Sequence, residues 1–308
     1  MSVDSSGAAR LREQLARGEL IAAPGAYDPY SARLLERFGF PALYLGGNAL
    51  GLQLAVGQPF VTMTETADAT RRITRVTRAP LIVDVGAGFG DAAHASVTLR
   101  ALAQAGAAAV HLDDQVYPKR AHYHRGVGRL AAASITCGKL RAMREEGARV
   151  DGASAPVLVA RTDALRVTRS LDETIDRCGR YLEAGAEALM VLDLGPADAA
   201  RLRSAFASTP LAWIGGIAEP VPTAAELARA GFALALYPFN SIAAVTTALT
   251  TTWAAFQREG RPARPTEPAP ATLAHALDLI DMATHWETER RTTEAGDGEP
   301  APTPKGRP

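Results

Sequence analysis

The amino-acid sequence predicts an α/β fold in which eight parallel strands form a single (β/α)8 barrel of the TIM type. Eight short apolar runs recur along the chain, and an amphipathic segment of helical length follows each of them. Most of these runs are continuously apolar rather than alternating, which is typical of parallel strands buried on both faces. Eight strand–helix units favour a closed barrel. The alternative is an open doubly wound sheet, which usually has fewer strands.

The predicted strands are, in chain order, Leu20–Ala23, Ala42–Leu45, Leu81–Asp84, Ala108–Leu112, Val157–Arg161, Ala188–Leu192, Leu211–Ile214 and Phe232–Leu236. The predicted helices are Pro29–Phe38, Thr64–Arg78, Asp91–Ala105, Ser134–Glu146, Ser170–Ala184, Pro196–Ala207, Thr223–Ala230 and Ser241–Glu259. Asp28 is an N-cap acceptor before Pro29, and Thr223 with Glu226 has capping-box spacing. Four glycines follow predicted helices as left-handed C-caps: Gly39, Gly106, Gly185 and Gly231.

Composition excludes several classes of protein. The 308 residues are 47% hydrophobic and 21% charged, so the chain can bury a large core and is not globally disordered. Lys plus Arg and Asp plus Glu both number 33, and this balance predicts neither a nucleic acid nor a membrane as partner. No apolar run approaches the roughly 18 residues of a membrane span, and the N-terminus has no signal-peptide pattern. We therefore expect a cytoplasmic protein, with Cys137 and Cys178 as buried thiols.

The predicted domain organisation has three parts. Residues 1–260 form the barrel, and residues 261–291 form a Pro-rich arm with one further helix, Ala271–Arg290. Leu273, Leu277 and Ile280 lie near one face of that helix, so we expect it to pack on a partner subunit. The remaining residues, 292–308, are rich in Pro, Gly and Glu and are predicted to be disordered.

Polar residues at the carboxyl ends of the strands mark the expected functional site, because the loops there build the active sites of such barrels. Asp84 and Asp113 directly follow apolar runs, which predicts carboxylates at the barrel axis. Arg161 ends the fifth run, and its guanidinium suits a substrate carboxylate bound bidentately. Alternatively, Arg161 forms a structural ion pair with Asp84 or Asp113. Asp163 and Asp193 are substrate-site candidates that could instead act as helix N-caps.

The longest predicted loop on this face follows the fourth strand and is basic and aromatic. It contains Lys119, Arg120, His122, Tyr123 and His124, with glycines that could act as hinges. Such a loop could close on an anionic substrate and deliver a proton. The alternative interpretation is a solvated surface loop without a catalytic role.

Six segments resemble the isocitrate lyase/phosphoenolpyruvate mutase superfamily, from about Ala23 to Gly260. They are Tyr44–Gly47, Val83–Gly90, His111–Gln115, Lys119–Arg120, Ala160–Ala164 and Ala235–Pro238. The branch of methylisocitrate lyase and carboxyphosphonoenolpyruvate phosphonomutase is the most similar. The resemblance implies an α/β barrel and a homo-oligomer, dimer or tetramer, in which the C-terminal helix is exchanged between subunits.

The resemblance also implies Mg²⁺, held largely through water by an Asp-x-Asp pair and a glutamate. In this chain the first aspartate is Asp84, the second position is Gly86, and the glutamate is shortened to Asp113. The implied metal site is therefore weakened. Members of the family have another glutamate after strand six. This chain has no glutamate at the aligned position, and Asp193 lies one position further along the chain.

Further positions depart from the family pattern. The lid motif keeps Lys119 and Arg120, but Ala121 stands in place of the cysteine that supplies the lyase proton. Tyr123 lies where the family has histidine, and Phe60 replaces an aspartate that follows strand two. The implied substrate-binding residues are Tyr44, Gly46, Gly47, Asn48, Arg161 and Asp193. Gly46 replaces a serine, which leaves backbone N–H groups as donors to an enolate oxygen.

These features predict a lyase that makes or breaks a carbon–carbon bond next to a carbonyl in a small 2-oxo or hydroxy carboxylate. Arg161 would bind the carboxylate, and Asp84 and Asp113 would hold the metal. One alternative is a phosphonate mutase or hydrolase that acts on a phosphorus–carbon bond and binds the phosphonate through Lys119 and Arg120. The other alternative is a metal-independent or non-catalytic relative, recruited for binding or for a rearrangement.

Overall fold

Eight parallel strands form a nearly closed barrel with helices between them. The computed structural model describes residues 6–119, 128–151, 154–264 and 269–292. Its sheet has the strand order β1-β8-β7-β6-β5-β4-β3-β2. The strands are β1 Ile21–Pro24, β2 Leu43–Leu45, β3 Leu81–Asp84, β4 Ala109–Asp113, β5 Val157–Thr162, β6 Ala188–Val191, β7 Leu211–Ile214 and β8 Leu234–Tyr237. At the seam between β1 and β2, the amide of Ala26 donates to the carbonyl of Tyr44 over 2.9 Å. The predicted (β/α)8 fold is confirmed.

All eight predicted strands are present, and the ends that differ do so by one or two residues. The helices are α1 Gly7–Ala16, α2 Pro29–Arg37, α3 Gly47–Gln53, α4 Met63–Thr74, α5 Ala92–Gln104, α6 Ala133–Asp151, α7 Ala164–Thr168, α8 Leu171–Glu183, α9 Ala199–Ala205, α10 Ala224–Arg229, α11 Asn240–Glu259, α12 Ala269–Leu279 and α13 Met282–Thr292. A short 3-10 helix spans Gln58–Phe60. The sequence did not predict α1, α3, α7 or the 3-10 helix, which are short.

Helix caps match the predicted chemistry. Asp28 accepts from the amide of Ser31 at the start of α2, and Thr223 forms a complete capping box with Glu226. The four predicted C-cap glycines have positive φ: Gly39, Gly106, Gly185 and Gly231. Both cysteines are buried free thiols, as predicted.

Successive side chains of each strand point to opposite faces of the sheet, so the buried apolar residues form two clusters. Side chains such as Val157 and Val159 fill the barrel interior, whereas Leu158 and Ala160 pack against the surrounding helices. Helix α1 places the fully buried Leu11 in the interior cluster. The same alternation decides which polar side chains at the strand ends face the barrel axis.

The chain divides into two compact units, Met1–Thr247 and Ala248–Pro308, and the barrel strands belong to the first. The boundary predicted at residue 260 stays a prediction. In the second unit, the prediction of a single helix over Ala271–Arg290 is wrong. The structure has two separate helices, α12 and α13, because Asp281 between them adopts a left-handed conformation with φ 56°. The predicted disordered tail beyond Thr292 lies outside the described residues.

Several large apolar side chains of the second unit are exposed: Leu249, Trp253, Phe256, Leu273, Ile280 and Trp286. Subunit exchange through this region stays a prediction. Within the described ranges, no helix combines the length and the apolar character that crossing a bilayer requires.

Gly25 lies at the barrel seam, where a side chain would clash with backbone. A Cβ atom there would lie 2.6 Å from the carbonyl oxygen of Pro238 and 3.0 Å from that of Tyr237. We expect Gly25→Ala to lower the free energy of unfolding by about 1–3 kcal/mol, because the neighbouring backbone must shift. Gly138→Ala is the matched control, since a Cβ atom on Gly138 meets nothing within 4 Å. Urea unfolding of both variants measures the difference, and equal stabilities would contradict the prediction.

Candidate functional site

A cavity of about 920 Å³ opens at the carboxyl ends of the strands. Its lining residues are Tyr44, Gly46, Asn48, Gln58, Asp84, Gln115, Lys119, Gly128, Arg161, Asp163, Arg166, Val167, Leu192, Asp193, Ile214, Gly215, Ile217, Ala218, Pro238 and Phe239. Most of the predicted binding residues therefore surround one space. The polar residues concentrate on strands β3 to β5 and the loops that follow them.

Four ionisable side chains meet at the barrel axis: Asp84, His111, Asp113 and Lys119. Strand register brings the two aspartates and His111 together, because Asp84 pairs with His111 across the β3–β4 ladder, and Lys119 reaches them from the loop after β4. Lys119 Nζ lies 2.6 Å from Asp113 Oδ2 and 3.4 Å from Asp84 Oδ2. His111 Nδ1 lies 3.1 Å from Asp113 Oδ1. All four side chains are buried, which confirms that both carboxylates lie at the axis.

The charges in this cluster fix the ionisation of its members. Burial alone would raise the pKa of Asp113, but the charges of Arg161 and Lys119 outweigh it and hold this pKa well below its usual range. Burial also opposes ionisation of Asp84, whose pKa is lowered chiefly by Lys119 and His111. Burial lowers the pKa of Lys119, but Asp113 and Asp84 raise it above its ordinary value. At neutral pH the site thus contains two carboxylates and an ammonium group.

Arg161 is held by two carboxylates beside the cavity. Its Nε donates to Asp163 Oδ1 over 2.9 Å, and its Nη1 lies 3.5 Å from Asp113 Oδ2. The ion pair between Arg161 and Asp113, which the sequence suggested as an alternative to substrate binding, is therefore present. Asp163 is a second partner of Arg161. Asp163 occupies the N-cap position of α7 but makes no side-chain cap hydrogen bond. Arg161 still lines the cavity, so it can also contact a ligand.

Asp84 accepts three hydrogen bonds besides its contact with Lys119. The donors are the Gly86 amide at 2.7 Å, the Gly47 amide at 3.2 Å and Gln58 Nε2 at 3.1 Å. The Gly47 amide, predicted to face an enolate, thus donates to Asp84. Gly46 and Asn48 line the cavity.

Gln58 is a site residue that the sequence did not predict. The sequence suggested that Phe60 replaces a family aspartate here, but Phe60 is 70% exposed and is not among the cavity-lining residues. Gln58 reaches the site instead, from the 3-10 helix. The local sequence has no periodicity that would show which of these residues points inward.

Tyr44 is a buried residue of the cavity lining and is linked to the acids through His111. Because Asp113 is ionised and can only accept, His111 Nδ1 carries the proton that it donates, and Nε2 lies within hydrogen-bonding distance of the Tyr44 hydroxyl, at 2.7 Å. Burial and then the charge of Asp84 raise the pKa of Tyr44 well above its ordinary value. In the sequence, no catalytic or binding role was predicted for His111, which belongs to the segment His111–Gln115. Its even spacing from Asp113 was the signal that both face inward.

Asp193, a predicted substrate-binding residue, pairs with Arg166. The guanidinium contacts both carboxylate oxygens, at 2.6 and 2.5 Å, and both side chains are about half-exposed at the cavity. Asp193 has φ 65° and is not a helix N-cap. Arg166 lies on α7, a helix that the sequence did not predict.

Asp114 forms a second buried network, directed away from the axis. Its carboxylate accepts from Thr162 Oγ1 at 2.6 Å, the Asp163 amide at 2.9 Å and the Tyr181 hydroxyl at 2.9 Å. Burial raises the pKa of Asp114. The network ties helix α8 to the end of β5, where Arg161 and Asp163 lie.

Four predicted catalytic residues lie outside the described residues: Arg120, His122, Tyr123 and His124. Ala121 also belongs to this segment. Lys119 and Gly128, the described residues that flank it, both line the cavity. The lid interpretation therefore stays a prediction.

Asp84, His111 and Asp113 could together hold a metal ion, since one ligand atom from each lies within 4.8 Å of the others. Both nitrogens of His111 are already hydrogen-bonded, so the carboxylate oxygens are the more accessible donors. Oxygen donors suit hard divalent cations. The residues thus fit such an ion, although Lys119 contacts both carboxylates.

Buried acids, a lysine and an arginine at the carboxyl ends of a parallel (β/α)8 barrel define a TIM-barrel enzyme. Residues 11–257 match the model of the phosphoenolpyruvate phosphomutase family, and the chain belongs to that family. The resemblance to the isocitrate lyase/phosphoenolpyruvate mutase superfamily is thereby confirmed.

Similar proteins include several lyases. The 2-methylisocitrate lyase of Aeropyrum pernix is 34% identical over 239 residues, which cover 76% of this chain and 74% of that protein. The 2,3-dimethylmalate lyase of Eubacterium barkeri is 33% identical over 258 residues, covering 82% and 86%. Among solved structures, oxaloacetate acetylhydrolase with 3,3-difluorooxalacetate has a TM-score of 0.83 and 26% identity, covering 93% of this chain and 97% of that one.

Proposed function

We propose that this enzyme makes or breaks a carbon–carbon bond next to a carbonyl in a small 2-oxo or hydroxy carboxylate, through an enolate-like intermediate. The observation that carries the proposal is Arg161, a buried guanidinium that lines the cavity beside Lys119 and two ionised aspartates. The lyases among the similar proteins support the same reaction type.

Arg161 and the polar residues at the barrel axis have roles in this proposal. Arg161 binds the substrate carboxylate, because its planar guanidinium can donate two parallel hydrogen bonds. Lys119 places a positive charge where negative charge develops on the enolate oxygen. Tyr44 and His111 hold Asp113 in orientation from below.

The Mg²⁺ implied by the resemblance would be held by Asp84 and Asp113, in the place of the Lys119 ammonium group that contacts both carboxylates. When bound, it would polarise the substrate carbonyl as a Lewis acid. Proton transfer to the leaving carbon is assigned to the segment that contains Arg120, His122, Tyr123 and His124, because the described residues that flank it, Lys119 and Gly128, line the cavity.

The cavity also favours a substrate with an apolar part. Strands β6 to β8 and the loops after them contribute Leu192, Ile214, Ile217, Pro238 and Phe239. In an eight-stranded barrel β7 and β8 lie opposite β3 and β4, which carry charges, and β6 lies beside β5. A carboxylate on Arg161 would therefore direct an alkyl substituent toward apolar side chains, which favours an alkyl-substituted malate or citrate over phosphonopyruvate.

A substrate panel tests the reaction. The purified full-length enzyme is incubated, with and without Mg²⁺, with 2-methylisocitrate, 2,3-dimethylmalate, oxaloacetate or phosphonopyruvate, and ¹H and ³¹P NMR record the products. We expect cleavage of an alkyl-substituted substrate. Turnover of phosphonopyruvate alone would favour the phosphonate alternative, and turnover of none would contradict the lyase proposal.

The apolar arc gives a second prediction. Ile217→Asp should lower kcat/KM for the alkyl-substituted substrate about tenfold relative to oxaloacetate, because the substituent loses an apolar contact. Ile135→Asp is the matched control, since Ile135 is as exposed as Ile217 but lies on α6 away from the cavity. Steady-state kinetics on both substrates measures the ratio, and an unchanged ratio in the Ile217 variant would rule out this contact.

A further inference from the structure

We propose that the Lys119 ammonium group occupies the cation position between Asp84 and Asp113, so that it competes with a divalent metal ion for the same carboxylates. Gly86 is the residue that makes room for this lysine. The inference deepens the proposed function of this site, but it concerns cation binding and does not depend on which substrate is turned over.

The contact distances make the two cations mutually exclusive. Lys119 Nζ lies 2.6 Å from Asp113 Oδ2, and it lies 3.4 Å and 3.5 Å from the two oxygens of Asp84. A Mg²⁺ ion bonds oxygen at about 2.0–2.1 Å. An ion bound to both carboxylates, directly or through its waters, would therefore need the space around Nζ, and the two positive charges would repel each other.

Burial makes the lysine an effective competitor. The side chain of Lys119 is 8% exposed, and those of Asp84 and Asp113 are 5% and 0% exposed. Interactions between buried charges are poorly screened by water, so the ammonium group neutralises much of the field that would attract a metal ion. A metal that enters must displace a buried, paired lysine.

Gly86 explains why the lysine fits at this position. A Cβ atom on Gly86 would lie 3.3 Å from Cδ and 4.0 Å from Cβ of Lys119. The Lys119 stem thus lies directly over Gly86, and a longer side chain at residue 86 would enter the space of that stem. Gly86 has φ 51°, a conformation that aspartate tolerates better than most residues. The acidic residue that the resemblance predicted at this position would both displace the lysine and add a ligand.

Metal binding by the full-length protein, without substrate, tests the inference. Free Mn²⁺ is titrated by electron paramagnetic resonance into the native enzyme and into the Gly86→Asp and Lys119→Met variants. We expect weak binding by the native enzyme and a dissociation constant at least about tenfold lower in both variants, because each frees the two carboxylates for the ion. Lys139→Met is the matched control, since Lys139 is a buried lysine that donates to the Ala87 carbonyl and does not contact the acids.

Thermal unfolding with and without Mg²⁺ gives a second readout, because an ion that binds only the folded state raises Tm. If Lys119→Met does not fold, Gly86→Asp decides the question, since it keeps the lysine in the chain but displaces its side chain from the two carboxylates. Mn²⁺ binding by the native enzyme as tight as in Gly86→Asp would overturn the inference. An inactive substrate panel would contradict the proposed reaction but leave these binding results unchanged, so the two failures are distinguishable.

Discussion

Replacing Arg161 by alanine should lower kcat/KM for the carboxylate substrate by about a hundred- to a thousandfold. The loss of a charge-assisted, desolvated contact costs about 3–4 kcal/mol in such settings. We expect most of the effect in KM, because the guanidinium binds the carboxylate in the ground state as well as in the transition state. Arg161→Lys should recover only part of the loss, since lysine keeps the charge but not the planar pair of donors.

The same substitution should also destabilise the fold. Arg161 compensates the buried carboxylates of Asp113 and Asp163, and removal of one partner of a buried ion pair costs about 3–5 kcal/mol. Arg166→Ala is the control, because its pair with Asp193 is about half-exposed and should contribute at most about 1 kcal/mol. Kinetics must therefore be measured below the Tm of each variant. Unchanged carboxylate turnover by folded Arg161→Ala would show that its assignment is wrong.

The sequence predicted the parts of the site that strand geometry controls. Asp84, Asp113 and Arg161 were found because each ends an apolar run, and the carboxyl ends of parallel strands meet at one mouth of a barrel. The alternation within a strand also contained the signal for His111, two residues before Asp113. These positions depend on local pattern and on a fold with few geometric alternatives.

The unpredicted parts depend on contacts between segments that are distant in sequence. Lys119 lies over Gly86, and Gln58 replaces Phe60 at the acids, only because loops of particular conformation bring them there. Asp193, predicted to bind substrate, lines the cavity, but its pairing with Arg166 does not follow from the sequence. Loop side chains have no period of two or 3.6 residues, so their direction does not follow from sequence.

Replacing Asp114 by alanine should be the most disruptive change outside the cavity. Its carboxylate is the acceptor for Thr162, for the Asp163 amide and for the Tyr181 hydroxyl, all of them buried. Each buried donor left without a partner costs about 1–3 kcal/mol, so the combined loss should be about 3 kcal/mol or more. Differential scanning calorimetry should show a lower Tm for Asp114→Ala and a smaller decrease for Tyr181→Phe, which removes one donor and leaves the carboxylate in place.

The effect should extend to the site, because Asp163 is held by Asp114 through its amide and holds Arg161 through its carboxylate. A shift of Asp163 misaligns the guanidinium, and small displacements of a binding group cost much of its contribution. In folded Asp114→Ala we therefore expect KM for the carboxylate to rise more than kcat falls, as for Arg161→Ala. The double variant should show much less than the sum of the two free-energy changes, since both substitutions remove the same interaction. Additive changes would mean that Asp114 stabilises the barrel without positioning Arg161.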